Sequence, residues 1–193
     1  MSRLFRAVLA VAFLSRADPA FAHLPIEGVG GFYGGLLHPI LVPTHALSVV
    51  ALGLFIGRQR QRRMASLVFA AALVAGLTAI ALAVDVPVVT VMLANTALLG
   101  VLVAAAWAPP QPLGWLLAAI AGATLALDSP PQAVTIAEAN VMLVGTALGA
   151  CLAVAVVDAI ASYLTKAWQQ IAVRVLASWI AASAILVLAM SWR

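Results

Sequence analysis

Six long apolar segments occupy most of this chain, and each ends at a group of polar or proline residues. A helix needs about 20 apolar residues to cross a bilayer, which is much longer than a membrane-barrel strand. Proline pairs and Asp-x-Pro groups end helices, because proline lacks an N–H and disfavours helix in the residue before it. The pattern predicts an all-α polytopic membrane protein with six transmembrane helices. The segments run over about residues 32–57, 64–84, 88–107, 113–127, 134–164 and 171–192.

The composition excludes a free-standing soluble protein. Charged residues make up 8% of the 193 residues and hydrophobic residues 65%, whereas soluble domains carry about a quarter charged residues. The net charge of +4 does not indicate nucleic-acid binding, since four arginines crowd into residues 58–63 beside an apolar segment. Such a run is typical of membrane orientation. The single Cys151 excludes a disulfide framework and a thiolate metal cluster.

The first 22 residues have the pattern of a secretory signal peptide. A positively charged start is followed by a short apolar core and an Ala-x-Ala motif that ends at Ala22. Cleavage there leaves His23 as the mature N-terminus and residues 23–193 as a single six-helix transmembrane domain. The alternative is an uncleaved first helix.

The distribution of basic residues predicts the orientation. An exported N-terminus, periplasmic in a Gram-negative cell, makes the first helix run inward and places the Arg58–Arg63 loop in the cytoplasm. Six of the seven basic residues of the mature chain then fall on the cytoplasmic side, as the positive-inside rule requires. The expected location is the cell inner membrane, with several passes.

All three histidines lie within 23 residues: His23, His38 and His45. His38 and His45 are seven residues apart, hence on one helix face, and about 10 Å apart along a straight helix. That separation is too long for both to bind one ion. Pro39 and Pro43 lie on either side of the midpoint and predict a bent or opened helix. We therefore expect either one lined site or two successive stations.

Imidazole is a common ligand of nickel, cobalt, copper and zinc. A free N-terminal amine and the imidazole of His23 could chelate one metal ion together. His23 could equally be the residue that happens to follow the cleavage site. For His38 and His45, the alternative to metal binding is a packed histidine bonded to backbone carbonyls, but ionisable residues inside a membrane usually have a function.

Three carboxylates complete the set of candidates. Asp128 precedes Ser129-Pro130-Pro131 and could cap a helix, form the turn or line the outer mouth. Glu138 lies about one turn into the fifth helix and is expected to be buried there. Asp158 is expected to pair with Lys166 or to lie at the membrane interface. The predicted metal-binding residues are His23, His38, His45, Asp128 and Glu138.

No catalytic or nucleotide-binding motif is found in the sequence. There is no HExxH, P-loop, nucleophile elbow or pair of catalytic acids. We therefore expect a protein that is not an enzyme, does not bind ATP and holds no tightly bound cofactor. The Gly145-x-x-x-Gly149 spacing allows close helix contact, which predicts a tight bundle and is compatible with a homo-oligomer or a larger membrane complex.

The residues Gly31–Pro39 with His45, the turn Leu125–Pro131 and the segment after Arg174 resemble the HupE/UreJ family of hydrogenase and urease accessory membrane proteins. The resemblance covers essentially the whole mature chain. It implies six helices after signal removal and a nickel or cobalt permease without an ATPase. The family motif has the form His-Pro-x4-Asp-His. Here Thr44 stands at the position of the acidic residue. The chain is therefore similar to the second branch of the family, in which Pro-x-His stands in place of the acidic motif.

Two functions remain open from the sequence. The first is a secondary permease for a divalent metal ion, nickel or cobalt above copper or zinc, that supplies metalloenzyme maturation. The second is a non-transporting accessory or assembly subunit of a larger membrane complex. A permease should lose metal uptake when His38 or His45 becomes alanine. A docking subunit should tolerate those changes and fail when small helix-surface residues such as Gly145 are enlarged.

Overall fold

A computed structural model of the chain describes residues 31–82, 87–131, 133 and 135–191. Within these residues the chain forms seven α-helices and no strand. The predicted signal peptide and His23 lie outside the described residues. The helices are α1 (Gly31–Leu41), α2 (Pro43–Ile56), α3 (Arg62–Ala81), α4 (Val89–Ala104), α5 (Gln111–Leu127), α6 (Ile136–Tyr163) and α7 (Ala167–Met190).

The helices follow the six apolar segments, and the first segment is divided into two. By length and apolar composition α3, α6 and α7 can each cross a membrane, and α1 with α2 forms a fourth candidate that is bent by 70°. Helices α4 and α5 have 16 and 17 residues and are shorter than a usual span. The predicted all-α class is confirmed, with three or four candidate spans among the described residues.

Pro43 explains why the first segment bends. The Val42 N–H still donates to the His38 carbonyl at 3.1 Å, but Pro43 has no N–H to offer the carbonyl of Pro39. Its ring also crowds that carbonyl. Pro43 is instead the first residue of α2, where a missing N–H has little cost. The break that the two prolines predict is therefore present.

Helix α2 lies at the centre of the bundle and packs against all six other helices. Its side chains from Val49 onward fill the interior, and Leu52, Phe55 and Ile56 are almost completely buried. The outer surface is apolar as well: Leu152 and Ile160 of α6 and Trp179 of α7 are more than half exposed. A surface of this kind suits contact with lipid.

Glycines allow the closest helix contacts. A Cβ added at Gly145 or Gly149 of α6 would clash with backbone atoms of Phe32 or Leu36 in α1. The predicted tight bundling through the Gly145-x-x-x-Gly149 spacing is confirmed. Because Gly145 faces α1 within the same chain, enlarging it would disturb folding. Gly145 is therefore not a surface position, and its enlargement does not test docking to a partner.

Successive apolar segments run between two ends of the bundle. One end is formed by the loop 57–61, the starts of α3, α5 and α7, and the ends of α4 and α6. We call it the arginine end. There the Arg62 side chain donates to both carboxylate oxygens of Asp158, at 2.9 and 3.1 Å. Of the two alternatives for Asp158, the pairing with Lys166 is wrong, because α3 begins beside the end of α6 and supplies Arg62 instead.

Two further arginines lie close together at the arginine end. Arg174 Nε donates to the carbonyl of Ala104 at 2.7 Å, which connects α7 to the end of α4. Partial burial lowers the pKa of Arg58 from its ordinary value, and the nearby charge of Arg174 lowers it further. Asp128 and Glu138 lie at the opposite end, which we call the histidine end.

Candidate metal-binding site at the helix break

His45 is the third residue of α2 and lies just after the break between α1 and α2. Its side chain is completely buried, with 0% exposure. Burying an imidazole this fully is costly unless its nitrogens have partners. The surroundings of the two ring nitrogens therefore decide what this residue can do.

Asp128 supplies the partner of one nitrogen. His45 Nε2 and Asp128 Oδ2 are 2.8 Å apart, although the residues are 83 positions apart in sequence. Asp128 immediately follows α5, and its N–H donates to the carbonyl of Thr124 at 3.0 Å. The Ser129 hydroxyl donates to the carbonyl of Leu125 at 2.7 Å. The turn before Pro130 thus holds the carboxylate at the end of α5, directed at His45.

The other nitrogen of His45 faces a different environment. When Asp128 is ionised it can only accept, so Nε2 carries the proton and donates. Nδ1 then keeps its lone pair, and this buried atom has no hydrogen-bond partner in the described part of the chain. Histidines that bind metals usually donate their second ring N–H to a carboxylate. His45 and Asp128 have this arrangement.

The helix bend brings His38 to the same place. The ring centroids of His38 and His45 are 5.0 Å apart, with an edge-to-face angle of 71°. A straight helix would separate the two residues by about 10 Å along its axis. The 70° bend removes that separation. His38, His45 and Asp128 therefore form one cluster in the structure.

Glu138 does not join this cluster. Its carboxylate accepts from the backbone N–H of Thr135 at 3.2 Å, and its own N–H donates to the Thr135 hydroxyl at 3.2 Å. This capping box starts α6 at an exposed position, so the expected burial of Glu138 is wrong. His23, the remaining candidate, lies outside the described residues. Across the described residues, no three His, Cys, Asp or Glu side chains are arranged to hold one metal ion.

Ser48 and Asn95 are buried polar residues that were not among the candidates. Ser48, with 1% exposure, lies three residues after His45 and so on the same face of α2. Asn95 of α4 donates to the Leu117 carbonyl of α5 at 3.2 Å, and its Oδ1 has no partner in the described part of the chain. An amide in the middle of an apolar helix is a readable signal for such a contact.

The fold and this cluster together define a class: an α-helical membrane protein with ionisable side chains buried in its interior. A family model described as HupE / UreJ protein matches residues 11–188, nearly the whole chain. The chain belongs to this family, and the family resemblance seen in the sequence is confirmed. The family is associated with nickel or cobalt accessory functions for hydrogenase and urease. Neither a search of curated proteins nor a search of solved structures found a significant match.

Proposed function

We propose that this chain is a secondary transporter for a divalent transition-metal ion, nickel or cobalt, that supplies metalloenzyme maturation. One observation carries the proposal. His45 is fully buried, its Nε2 is held by Asp128 at 2.8 Å, and its Nδ1 has no hydrogen-bond partner among the described residues. An imidazole oriented in this way presents a lone pair to a borderline metal ion.

The roles of the three residues differ. His45 would bind the ion through Nδ1, and Asp128 would hold the ring in the orientation that directs Nδ1 at the ion. His38 would supply a second imidazole from the other side of the break, since the two rings are 5.0 Å apart. This set has fewer carboxylates than the family motif, because Thr44 stands at its acidic position. Water would complete the coordination.

The membrane potential can drive such a transporter without ATP. An inside-negative potential favours inward movement by about 2.3 kcal/mol per charge per 100 mV, and a divalent ion gains about twice that. The basic residues 58, 60, 62, 63, 166 and 174 all lie at the arginine end. The positive-inside rule supports an inner-membrane orientation with this end in the cytoplasm and the histidine end outside. His23 would then attract cations at the outer face.

The interior between the site and the arginine end is closed. Leu52, Phe55 and Ile56 are packed with 1% exposure or less. Passage of an ion would require α2 to move against its neighbours. The break at Pro43 is the place where α2 can pivot without losing a helical hydrogen bond, since Pro43 donates none.

A second candidate is a non-transporting accessory or assembly subunit. It is favoured by the absence, within the described residues, of three converging metal-ligating side chains. In that case the His45–Asp128 bond would only connect α2 to α5.

Metal uptake into proteoliposomes distinguishes the two functions. The purified chain would be reconstituted, an inside-negative potential imposed and entry of radioactive Ni²⁺ measured. We expect uptake that His45→Ala and His38→Ala abolish, with Glu138→Gln as the carboxylate control that leaves uptake intact. A folded wild-type chain without uptake would instead support the accessory subunit.

A further inference from the structure

An open groove runs between α3 and α6 beside the arginine end. Its volume is about 1070 Å³. Helix α3 packs mainly on α5, and α6 mainly on α1 and α2, so α3 and α6 are only lightly packed against each other near the groove. Its walls are apolar or small, and they include Leu67, Phe69, Ala70, Cys151, Val154 and Ala155.

Positive charge is concentrated at one end of the groove, where Arg60, Arg62 and Arg63 lie. Arg62 is neutralised by its two hydrogen bonds to Asp158, which also lines the groove. Arg60 and Arg63 are exposed, and neither has an ion-pair partner in the described part of the chain. Two guanidinium groups therefore remain available for an anion at the mouth of an apolar groove.

The length of the groove fits one leaflet of a bilayer. Arg62 and Ala70 are eight residues apart on α3, which corresponds to about 12 Å along the helix. One half of a bilayer's hydrocarbon core is about 15 Å thick. Both α3 and α6 are long and apolar enough to cross a membrane, so the groove opens toward lipid. Arginine also matches a phosphate group well, through paired N–H donors.

We propose that this groove binds an anionic phospholipid, with its phosphate at Arg60 and Arg63 and its acyl chains along Leu67, Ala70 and Ala155. The site is separate from the histidine cluster and does not depend on metal transport. The lipid would fill the space between α3 and α6 and stabilise their arrangement.

Lipid binding to the full, delipidated chain in detergent tests the charged end. We expect phosphatidylglycerol to bind more tightly than phosphatidylcholine and to raise Tm. Each basic residue near a membrane surface strengthens binding to anionic lipid about fivefold, so Arg60→Gln with Arg63→Gln should weaken phosphatidylglycerol binding about 25-fold. Lys166→Gln removes a charge at the same end outside the groove and should have little effect. Equal binding of the two lipids, or unchanged binding in the double variant, would overturn the proposal.

The apolar part of the groove needs its own test. Ala155→Phe should fill the groove and block the acyl chains, whereas Ala172→Phe, on an exposed face of α7, should leave binding unchanged. Excess inorganic phosphate should not displace the lipid if the acyl chains contribute. Displacement by phosphate alone, or full lipid binding by Ala155→Phe, would show that only an anion binds at the arginines and would refute a lipid site.

Discussion

Asp128→Asn changes the proposed metal site without removing its hydrogen bond. The amide has the size of the carboxylate, but its NH₂ group can donate to His45 Nε2. The proton of His45 would then move to Nδ1, the nitrogen that the proposal assigns to the metal. An asparagine that accepts from Nε2 instead would still lack the negative charge that holds the ring in this orientation.

The size of the effect follows from the geometry. The His45–Asp128 hydrogen bond is 2.8 Å long, and Asp128 is only 20% exposed in its side chain. A charge-assisted hydrogen bond of this kind contributes about 1.5–3 kcal/mol. This bond is present with and without the metal, so only its strengthening on metal binding contributes to affinity. Loss of an orienting carboxylate at known metal sites weakens metal binding about 10- to 100-fold.

Isothermal titration of the purified chain with Ni²⁺ would measure this affinity. We expect Asp128→Asn to bind about 10- to 100-fold more weakly than wild type, and Glu138→Gln to bind as wild type does. The reasoning is refuted if Asp128→Asn retains full affinity in a folded protein, or if Glu138→Gln weakens binding as much.

Three further predictions concern the bundle. Gly145→Val should lower the free energy of unfolding by about 1–3 kcal/mol, and with it Tm, because the larger side chain overpacks against α1. Gly34→Ala is the control and should leave Tm unchanged, because a Cβ there would meet open space. Equal Tm values for the two variants would contradict the close contact. Asp158→Asn should lower Tm by about 2–4 °C, because the ion pair with the partly exposed Arg62 contributes about 1 kcal/mol to the free energy of unfolding. The same substitution should have no effect on Tm in an Arg62→Gln background. Pro43→Ala should straighten the first span, separate the two histidine rings and weaken Ni²⁺ binding. Circular dichroism should show the same helix content as in the wild type. Unchanged Ni²⁺ affinity would show that metal binding does not need the bend.

The helices themselves could be predicted from the sequence. Each apolar segment became helical, and α4 and α5 are separated at the prolines between residues 108 and 112. The break at Pro39 and Pro43 was also predictable, since proline removes a donor from the ladder. Glu138 could have been assigned correctly, because Thr135-x-x-Glu138 is a readable capping box.

The residues of the site were among the candidates, but their contacts with one another could not be predicted, for a physical reason. Lipid and the protein interior are similarly apolar. These helices therefore carry apolar residues on all faces, and the sequence does not show which face packs against which neighbouring helix. Nothing local indicates that Asp128 would contact His45 across 83 positions. The spacing of the two histidines gave only their separation on a straight helix. Proline predicts a break but not its angle, and the 70° angle is what brings the two rings together.

The most direct test of the account is the X-ray absorption spectrum of Ni²⁺ bound to the purified chain. We predict scattering features of imidazole ligands in the wild type and their loss or reduction in His45→Ala. A spectrum with only oxygen ligands, or an identical imidazole signal in His45→Ala, would contradict the claim that His45 binds the metal.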